Sequence, residues 1–292
     1  MRKGRYCLGR IVKINLDQQE LMDSITNAPI ITIGKFDWTI TDVFDNRYDV
    51  IPYVFGKLSK YARDGHAKVI DELSRAQVDA DVPNLLEASS PFVYLPEYSG
   101  IAFLHVSSGI QEHIFPRRFK SVIEAAFDGI MVSCDVQTIS DYRKFTTRLK
   151  KLNYFTEFSA TVYPPNPLFG RLWGNLNKYI DSRNASEITV KEHASNSEGL
   201  KSNVVELMDK IIESPDYEPD EVPAIGDSAI LMAADGYGKG KVVGVEGNGQ
   251  VTLKTSETQK NFLHDKESEP NELAIKANFH FDKTSKERDM KH

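Results

Sequence analysis

Glycine and lysine alternate in Gly236-Tyr237-Gly238-Lys239-Gly240-Lys241, the segment of this 292-residue sequence that comes nearest to a nucleotide-binding loop. A phosphate-binding loop needs Gly-Lys followed by Ser or Thr, because that hydroxyl binds magnesium. Here Val242 follows Lys241. A dinucleotide fingerprint needs a third glycine three residues after the second, followed by a helix. Lys241 stands at that place, and the residues after it read as a strand. The segment is therefore a glycine-rich β connection, with Lys239 and Lys241 kept as a candidate anion contact.

The other reactive side chains are dispersed. His66, His105, His113, His193, His264, His280 and His292 show no close metal-ligand spacing and no His-Glu-x-x-His. His105 alternates with Phe103 and reads as a satisfied sheet histidine. Asp37, Asp42, Asp45 and Asp49 are near one another, as in a metal-dependent nuclease, but Trp38 and Phe44 among them point to strand and turn positions. Gly-x-Ser-x-Gly is missing, as is the aromatic RNA-binding strand motif. Cys7 and Cys134 read as buried small hydrophobes, too few and too far apart for a disulfide framework or a four-thiolate zinc site. No catalytic residue, metal site or cofactor is assigned; a nuclease with scattered ligands stays the least favoured alternative.

What the sequence does concentrate is positive charge. Arg117, Arg118 and Lys120 follow Pro116 in a run whose Phe119, Val122, Ile123 and Ala126 share a helical face. Proline suits the first helical turn. Cations there oppose the helix dipole, which is useful where an anion binds; plain solvation is the other reading. Ser140 reads as the cap of a second helix, with Asp141 in its first turn. Tyr142, Phe145, Leu149 and Leu152 form its apolar stripe, and Arg143, Lys144, Arg148, Lys150 and Lys151 fill the other faces. That imbalance suits either a solvated face or one turned to phosphate or acid. Tyr154, Phe155 and Phe158 beside it are either base-stacking aromatics or core. Near the start, Arg2, Lys3, Arg5, Arg10 and Lys13 stand without an acid in a strand pattern of Tyr6, Leu8, Val12, Ile14 and Leu16. Its two readings are a solvated edge strand and a binding arm.

Holding these clusters calls for an α+β fold with mixed or antiparallel sheets and packed helices. Gln18 to Asn27 is an expected helix. Strands at Phe36 to Phe44, Val50 to Phe55, Phe92 to Leu95 and Gly100 to Ser107 suggest an antiparallel meander. Strands at Gly129 to Ile139, Tyr154 to Tyr163 and Ser186 to Glu192 alternate with helices after Ser140 and over Leu168 to Asp181. Such a β-α-β-α-β unit suits a ferredoxin-like half or a piece of an α/β sheet. Pro164-Pro165-Asn166-Pro167 breaks it after the second strand, and a helix over Leu200 to Ile212 follows. Acids and prolines then dominate as far as Asp227. Beyond them, Ser228 to Ala234, Lys241 to Glu246, Gln250 to Thr255 and Leu273 to Phe281 read as strands, with Gly247-Asn248-Gly249 as a hairpin turn. Thr284 to His292 reads as a frayed charged tail. The expected divisions are 1–127, 128–213, an acidic Pro-rich linker at 214–226, and a β-rich region at 227–292.

Composition is that of a globular chain, 40% hydrophobic and 27% charged. A net charge of −6 argues against a uniformly basic nucleic-acid coat but leaves room for a local basic face. The start lacks an apolar signal-peptide core, and no run of eighteen apolar residues occurs, so a cytoplasmic protein without a membrane partner is expected. Ser90-Pro91-Phe92-Val93-Tyr94-Leu95-Pro96-Glu97-Tyr98-Ser99-Gly100-Ile101-Ala102-Phe103 resembles the apolar strand, turn and Gly-Ile-Ala/Gly-Phe strand of phage-defence proteins of the Rex exclusion-sensor and Kiwa accessory type. With the run at Phe115 to Phe127 and the β-α unit after it, the resemblance covers a third to a half of the chain. It implies DNA engagement or sensing in host defence, and it transfers no catalytic residue. The resulting expectation is a non-catalytic component of antiviral defence that binds DNA or RNA through Arg117, Arg118, Lys120, Arg143, Lys144, Arg148 and Lys151. A protein partner in a defence complex and a homo-oligomer are compatible with it. The alternative is a protein-interaction subunit, a toxin neutraliser or complex adaptor, docking through the acidic linker and β tail.

Overall fold

The computed structural model describes residues 2–127, 131–165, 168–195, 198–214 and 217–291. Gly129 and Ile130 of the expected strand, Asn166 and Pro167 of the proline break, Pro215 and Asp216 of the acidic segment, and His292 lie outside them.

The chain opens with β1 (Lys3–Ile14), α1 (Gln18–Thr26), β2 (Ile31–Ile33), β3 (Phe36–Asn46), β4 (Tyr53–Ala62), β5 (His66–Asp71), β6 (Ala76–Asp81), β7 (Leu85–Leu95), β8 (Gly100–Leu104) and α2 (Ile114–Glu124). A reciprocal capping box starts α1. The Asp17 carboxylate accepts from the Glu20 N–H at 2.8 Å, and the Glu20 carboxylate accepts from the Asp17 N–H at 2.9 Å. The expected meander is present, with β2, β3, β4, β7 and β8 pairing antiparallel in succession. α1 and α2 cover one face of this sheet, burying Leu21, Ile25, Phe115 and Phe119 against Phe92 and Phe103. The hairpin β5–β6 forms a small sheet of its own.

The chain continues through β9 (Ser133–Thr138), α3 (Tyr142–Leu149), β10 (Tyr154–Val162), β11 (Phe169–Gly170), α4 (Gly174–Ser182), β12 (Ile188–His193), α5 (Val204–Glu213), α6 (Ile225–Met232), β13 (Gly238–Glu246), β14 (Gly249–Lys254), β15 (Asn261–Asp265), α7 (Pro270–Glu287) and β16 (Met290–Lys291). The fold is α+β with antiparallel pairing, as expected. Among the described helices, none is long and apolar enough to cross a membrane.

The arrangement corrects the sequence reading in specific places. β1 is a central strand, paired with β8, β9 and β15, so it is neither a solvated edge nor a free arm. β9 joins β1, whereas β10 lies in a second sheet of order β12-β10-β13-β14. The central segment is therefore not one β-α-β-α-β unit and not a ferredoxin-like half. The phase change along β10 is a bulge between Phe155 and Glu157. Ser228 to Ala234 is helical, with Ala229, Ile230, Leu231 and Met232 at 1% exposure or less. An unbroken apolar run does not distinguish a buried strand from a buried helix. Leu273 to Phe281 lies inside α7, where Leu273, Ala274, Ala277 and Phe281 are buried. Thr284 to Met290 is no frayed tail: Thr284, Arg288 and Met290 are buried, and β16 pairs with β11.

These pairings also remove the division into separate regions. One apolar cluster runs from Tyr6 through Phe145, Phe158, Trp173 and Leu253 to Phe281. The Gly247-Asn248 turn does link β13 to β14, with Glu246 opposite Gly249 and Gly247 at φ 60°.

Candidate functional site

The basic residues on α2 have unlike fates. The Lys120 ammonium donates to Ser133 Oγ at 3.0 Å and to Asp135 at 2.9 Å, so its charge is spent tying α2 to β9. Arg118 lies over the Trp38 ring, 5.3 Å from its centroid. Arg117 is exposed. On α3 the cap is Asp141, which accepts from the Lys144 N–H, while the Ser140 hydroxyl donates to the Thr255 carbonyl at 2.7 Å. Arg148 pairs with Glu257 at 2.6 Å, Lys150 with Asp209 at 2.7 Å and Lys144 with Asp141 at 3.6 Å. Arg143 and Lys151 are exposed. Acids from α5 and from the 255–258 turn thus offset much of a helix face that the local sequence presents as almost purely cationic.

Arg117 and Arg118 converge with residues that the sequence reading did not single out. Trp38 and Lys60 are cross-strand partners in β3 and β4, so their side chains share a face. Phe36, two residues from Trp38, shares it too. The Lys60 ammonium sits 3.5 Å from the Phe36 ring centroid. At the start of α2, His113, Arg117 and Arg118 close a cleft of about 390 Å³ over these side chains, with Ile33 and Ile114 also in its wall. Its lining holds Lys60, Arg117 and Arg118 and no carboxylate. Asp37 alternates to the other side of β3, where it accepts from Thr32 at 2.7 Å and Arg63 at 3.0 Å. A cation on an aromatic face gains about 0.5–1 kcal/mol when exposed. Lys60 and Arg118 are thereby held in place before any ligand arrives, which lowers the ordering cost of binding.

A second cavity, about 240 Å³, lies between α3, α5 and α7. Its Arg143, Lys260 and Arg288 face Asp141 and Glu287, and Lys260 pairs with Glu287 at 2.7 Å. The balance of sign makes it a poorer anion site than the cleft. Beside it lies a buried charge centre with no local signature in the sequence. Asp235 accepts from Tyr142 Oη at 2.6 Å, Trp173 Nε1 at 2.8 Å and Arg288 Nη1 at 2.7 Å. Arg10, fully buried, donates from Nε to the Asp235 carbonyl at 2.8 Å and from Nη1 to the Tyr98 carbonyl at 2.8 Å. Burial pushes the Tyr142 hydroxyl well above its usual pKa.

The remaining candidates are accounted for locally. Asp42 pairs with Lys57 at 2.7 Å, Asp45 with Arg47 at 2.7 Å, and Asp49 accepts from Asn46 at 2.7 Å. With Asp37 they are strung along β3 and the turn after it rather than gathered. His105 Nδ1 lies against the Glu112 carboxylate, which also holds Arg5 at 3.0 Å. Cys7 and Cys134 are buried free thiols, and burial pushes Cys7 up to about 12. Phe158 is core, with Phe155 tilted against it. Lys239 and Lys241 stand on strand β13 rather than in a loop, and Lys241 pairs with Glu157 at 2.5 Å.

The chain belongs to the family described as Domain of unknown function (DUF4747), whose model matches residues 18–214. That span takes in α1 to α5, and with them both basic clusters and the cleft. No curated protein matches the chain.

Proposed function

We propose that the chain engages nucleic acid through the cleft between the β2–β4 strands and the start of α2. The observation that carries this reading is the convergence of Lys60, Arg117 and Arg118 on one cavity without a lining carboxylate, two of them braced on aromatic rings. Guanidinium groups take phosphate oxygens in a bidentate fork, and their planar faces accept stacked bases of a single strand. Arg143 and Lys151 on α3 extend the same reading. Lys120, Lys144 and Arg148 contribute less, because each already has an acidic partner. No catalytic step belongs to this proposal, and a cytoplasmic location goes with it.

The test is equilibrium binding of labelled single-stranded RNA, single-stranded DNA and duplex DNA across a salt series. Wild type should bind with affinity falling linearly in log salt. R117A/R118A should weaken binding and lower the slope by about 1 for each phosphate contact removed. Binding unchanged in the double variant would remove the cleft from the interface. The defence role rests on residues 90–103, nearly all of them buried in β7, the turn after it and β8. It is a likeness of sequence pattern that supplies no contact residue. Plaque counts on host cells carrying wild type or R117A/R118A test it directly.

A second reading, a protein-interaction subunit, is supported by the β5–β6 ribbon. Leu73 at its tip is 98% exposed and Ile70 is 62% exposed. On that reading the ribbon, not Arg117 and Arg118, controls association.

A further inference from the structure

The outward face of the sheet β12-β10-β13-β14 gathers lysines from three strands. Register sets this. Lys191 of β12 and Lys241 of β13 both pair with Ser159 of β10, and Lys241 pairs in turn with Lys254 of β14. Directly paired residues share a face, so these lysines form one line across the sheet. One step along, Thr189, Thr161 and Lys239 form a second line, with the two threonine hydroxyls 2.9 Å apart. Neighbouring strands lie about 4.8 Å apart and same-face residues about 6.7 Å apart along a strand. The Cα atoms of all four lysines therefore fall within roughly 15 Å of one another.

The opposite face is closed. It buries Phe158, Ala160, Val162 and Val242, and α6 packs on it. Glu192 turns that way too, with its carboxylate against Gly226. On the outward face Glu157 holds Lys241 at 2.5 Å and Lys191 at 3.4 Å. Glu187, two residues before Thr189, is engaged with the Tyr163 hydroxyl. The Lys191 side chain is still 62% exposed and that of Lys241 41%. Lys239 and Lys254 are exposed as well. Val243, the apolar neighbour on this side, is only 6% exposed.

We propose that this sheet face is a second nucleic-acid contact, one that binds the phosphate backbone through Lys191, Lys239, Lys241 and Lys254. The inference rests on the nucleic-acid reading of the cleft and extends it to another surface. Ammonium groups interleaved with the hydroxyls of Ser159, Thr161 and Thr189 are the donors that phosphate contacts use. No aromatic side chain stands in the two lines, so the face positions a backbone and reads no base. A membrane surface would need exposed apolar side chains to insert, and the two lines offer none. Glu157 fixes where Lys191 and Lys241 point and removes one unit of the net charge.

The test uses the full chain, fluorescence polarisation with the same three oligonucleotide types, and a salt series. K191A/K239A/K254A spares Lys241, the closest partner of Glu157, and should melt like wild type. It should bind every sequence more weakly, with the log–log salt slope reduced by about 0.9 per lost contact on duplex DNA or about 0.7 on a single strand. E157Q should move the other way and tighten binding several-fold, which a merely structural carboxylate would not do. Wild-type affinity and slope in the triple variant, with R117A/R118A still weakened, would overturn the sheet face and leave the cleft standing. No binding of any oligonucleotide by wild type would overturn both. Lysine-dependent binding of phosphatidylserine vesicles or polyglutamate, with oligonucleotides failing to compete, would overturn the nucleic-acid assignment of the face.

Discussion

His280 stacks on Phe262 with ring centroids 4.5 Å apart and 10° between the planes. Burial, then the charges of Lys276, Lys260 and Lys283, lower its pKa from 6.5 to about 4, with Glu287 pulling weakly the other way. In the unfolded chain the same ring takes a proton near pH 6.5. Between those values the unfolded state binds more protons, so stability rises with pH. The stacked neutral ring contributes fully above pH 6.5, and its contribution is lost as pH falls toward 4. His280→Phe keeps the stacking and cannot titrate. Its melting temperature should fall less than that of wild type between pH 7 and pH 5; equal falls would show that other groups set the acid limit. Single residues were the least legible part of the sequence. Arg10 looks like one more cation of a basic start, and Asp235 falls between the expected strand that ends at Ala234 and the glycine-rich segment. Their burial depends on Tyr142, Trp173 and Arg288, which meet only after folding. The same distance hides Glu257 and Asp209, which pair with Arg148 and Lys150. Local spacing therefore overstates the free charge of α3.

Elements marked by turn chemistry or by an apolar stripe at helical spacing, such as α5, were readable, and those marked by unbroken or alternating apolar residues were not. Glycine and proline punctuate the β7–β8 turn, and Asn248 with its flanking glycines announces the β13–β14 hairpin. In α7, by contrast, Leu273, Ile275, Ala277, Phe279 and Phe281 alternate like a strand, yet Ile275 is 50% and Phe279 57% exposed. The better signals were Pro270 at the first helical position and a polar run of helix formers. The β5–β6 ribbon poses the opposite problem. An isolated two-stranded hairpin is marginal in water, and this one exposes Val69, Ile70, Leu73 and Val78. Since His66 pairs with Asp81, residues 67–80 are replaceable by an Asn-Gly turn that keeps the base of the ribbon. The trimmed chain should differ from wild type by less than about 0.5 kcal/mol in denaturant unfolding. On the nucleic-acid reading its affinity for oligonucleotides is also unchanged. A large loss of stability would mean that the ribbon supports the body, and a lost protein partner with oligonucleotide binding intact would favour the adaptor reading.

At the scale of the molecule, the two ends of the chain close on each other. β15 pairs with β1, β16 pairs with β11, and Arg288 reaches Asp235 and the carbonyls of Ala234 and Ser140. The acidic, proline-rich segment that looks like a domain divide is thus a crossing between elements that share one core. Its composition reports exposure, not independence. Removal of residues 284–292 takes away Arg288, the cation hydrogen-bonded to the buried Asp235 carboxylate, and leaves Tyr142 and Trp173 as its donors and Arg10 on the Asp235 carbonyl. Breaking a buried ion pair from one side costs about 3–5 kcal/mol, against a total stability of about 5–15 kcal/mol for a typical domain. The full chain should therefore melt in one transition, and the truncated chain should be largely unfolded at physiological temperature by circular dichroism. R288M separates charge from chain length, because it keeps the backbone and most of the volume while removing the guanidinium that Asp235 hydrogen-bonds. It should lose much of what truncation loses. Adding D235N should deepen the loss, since it leaves the fully buried Arg10 without the carboxylate beside it. Truncation without a change in melting, or R288M melting like wild type, would show that the closing of the chain does not depend on this ion pair.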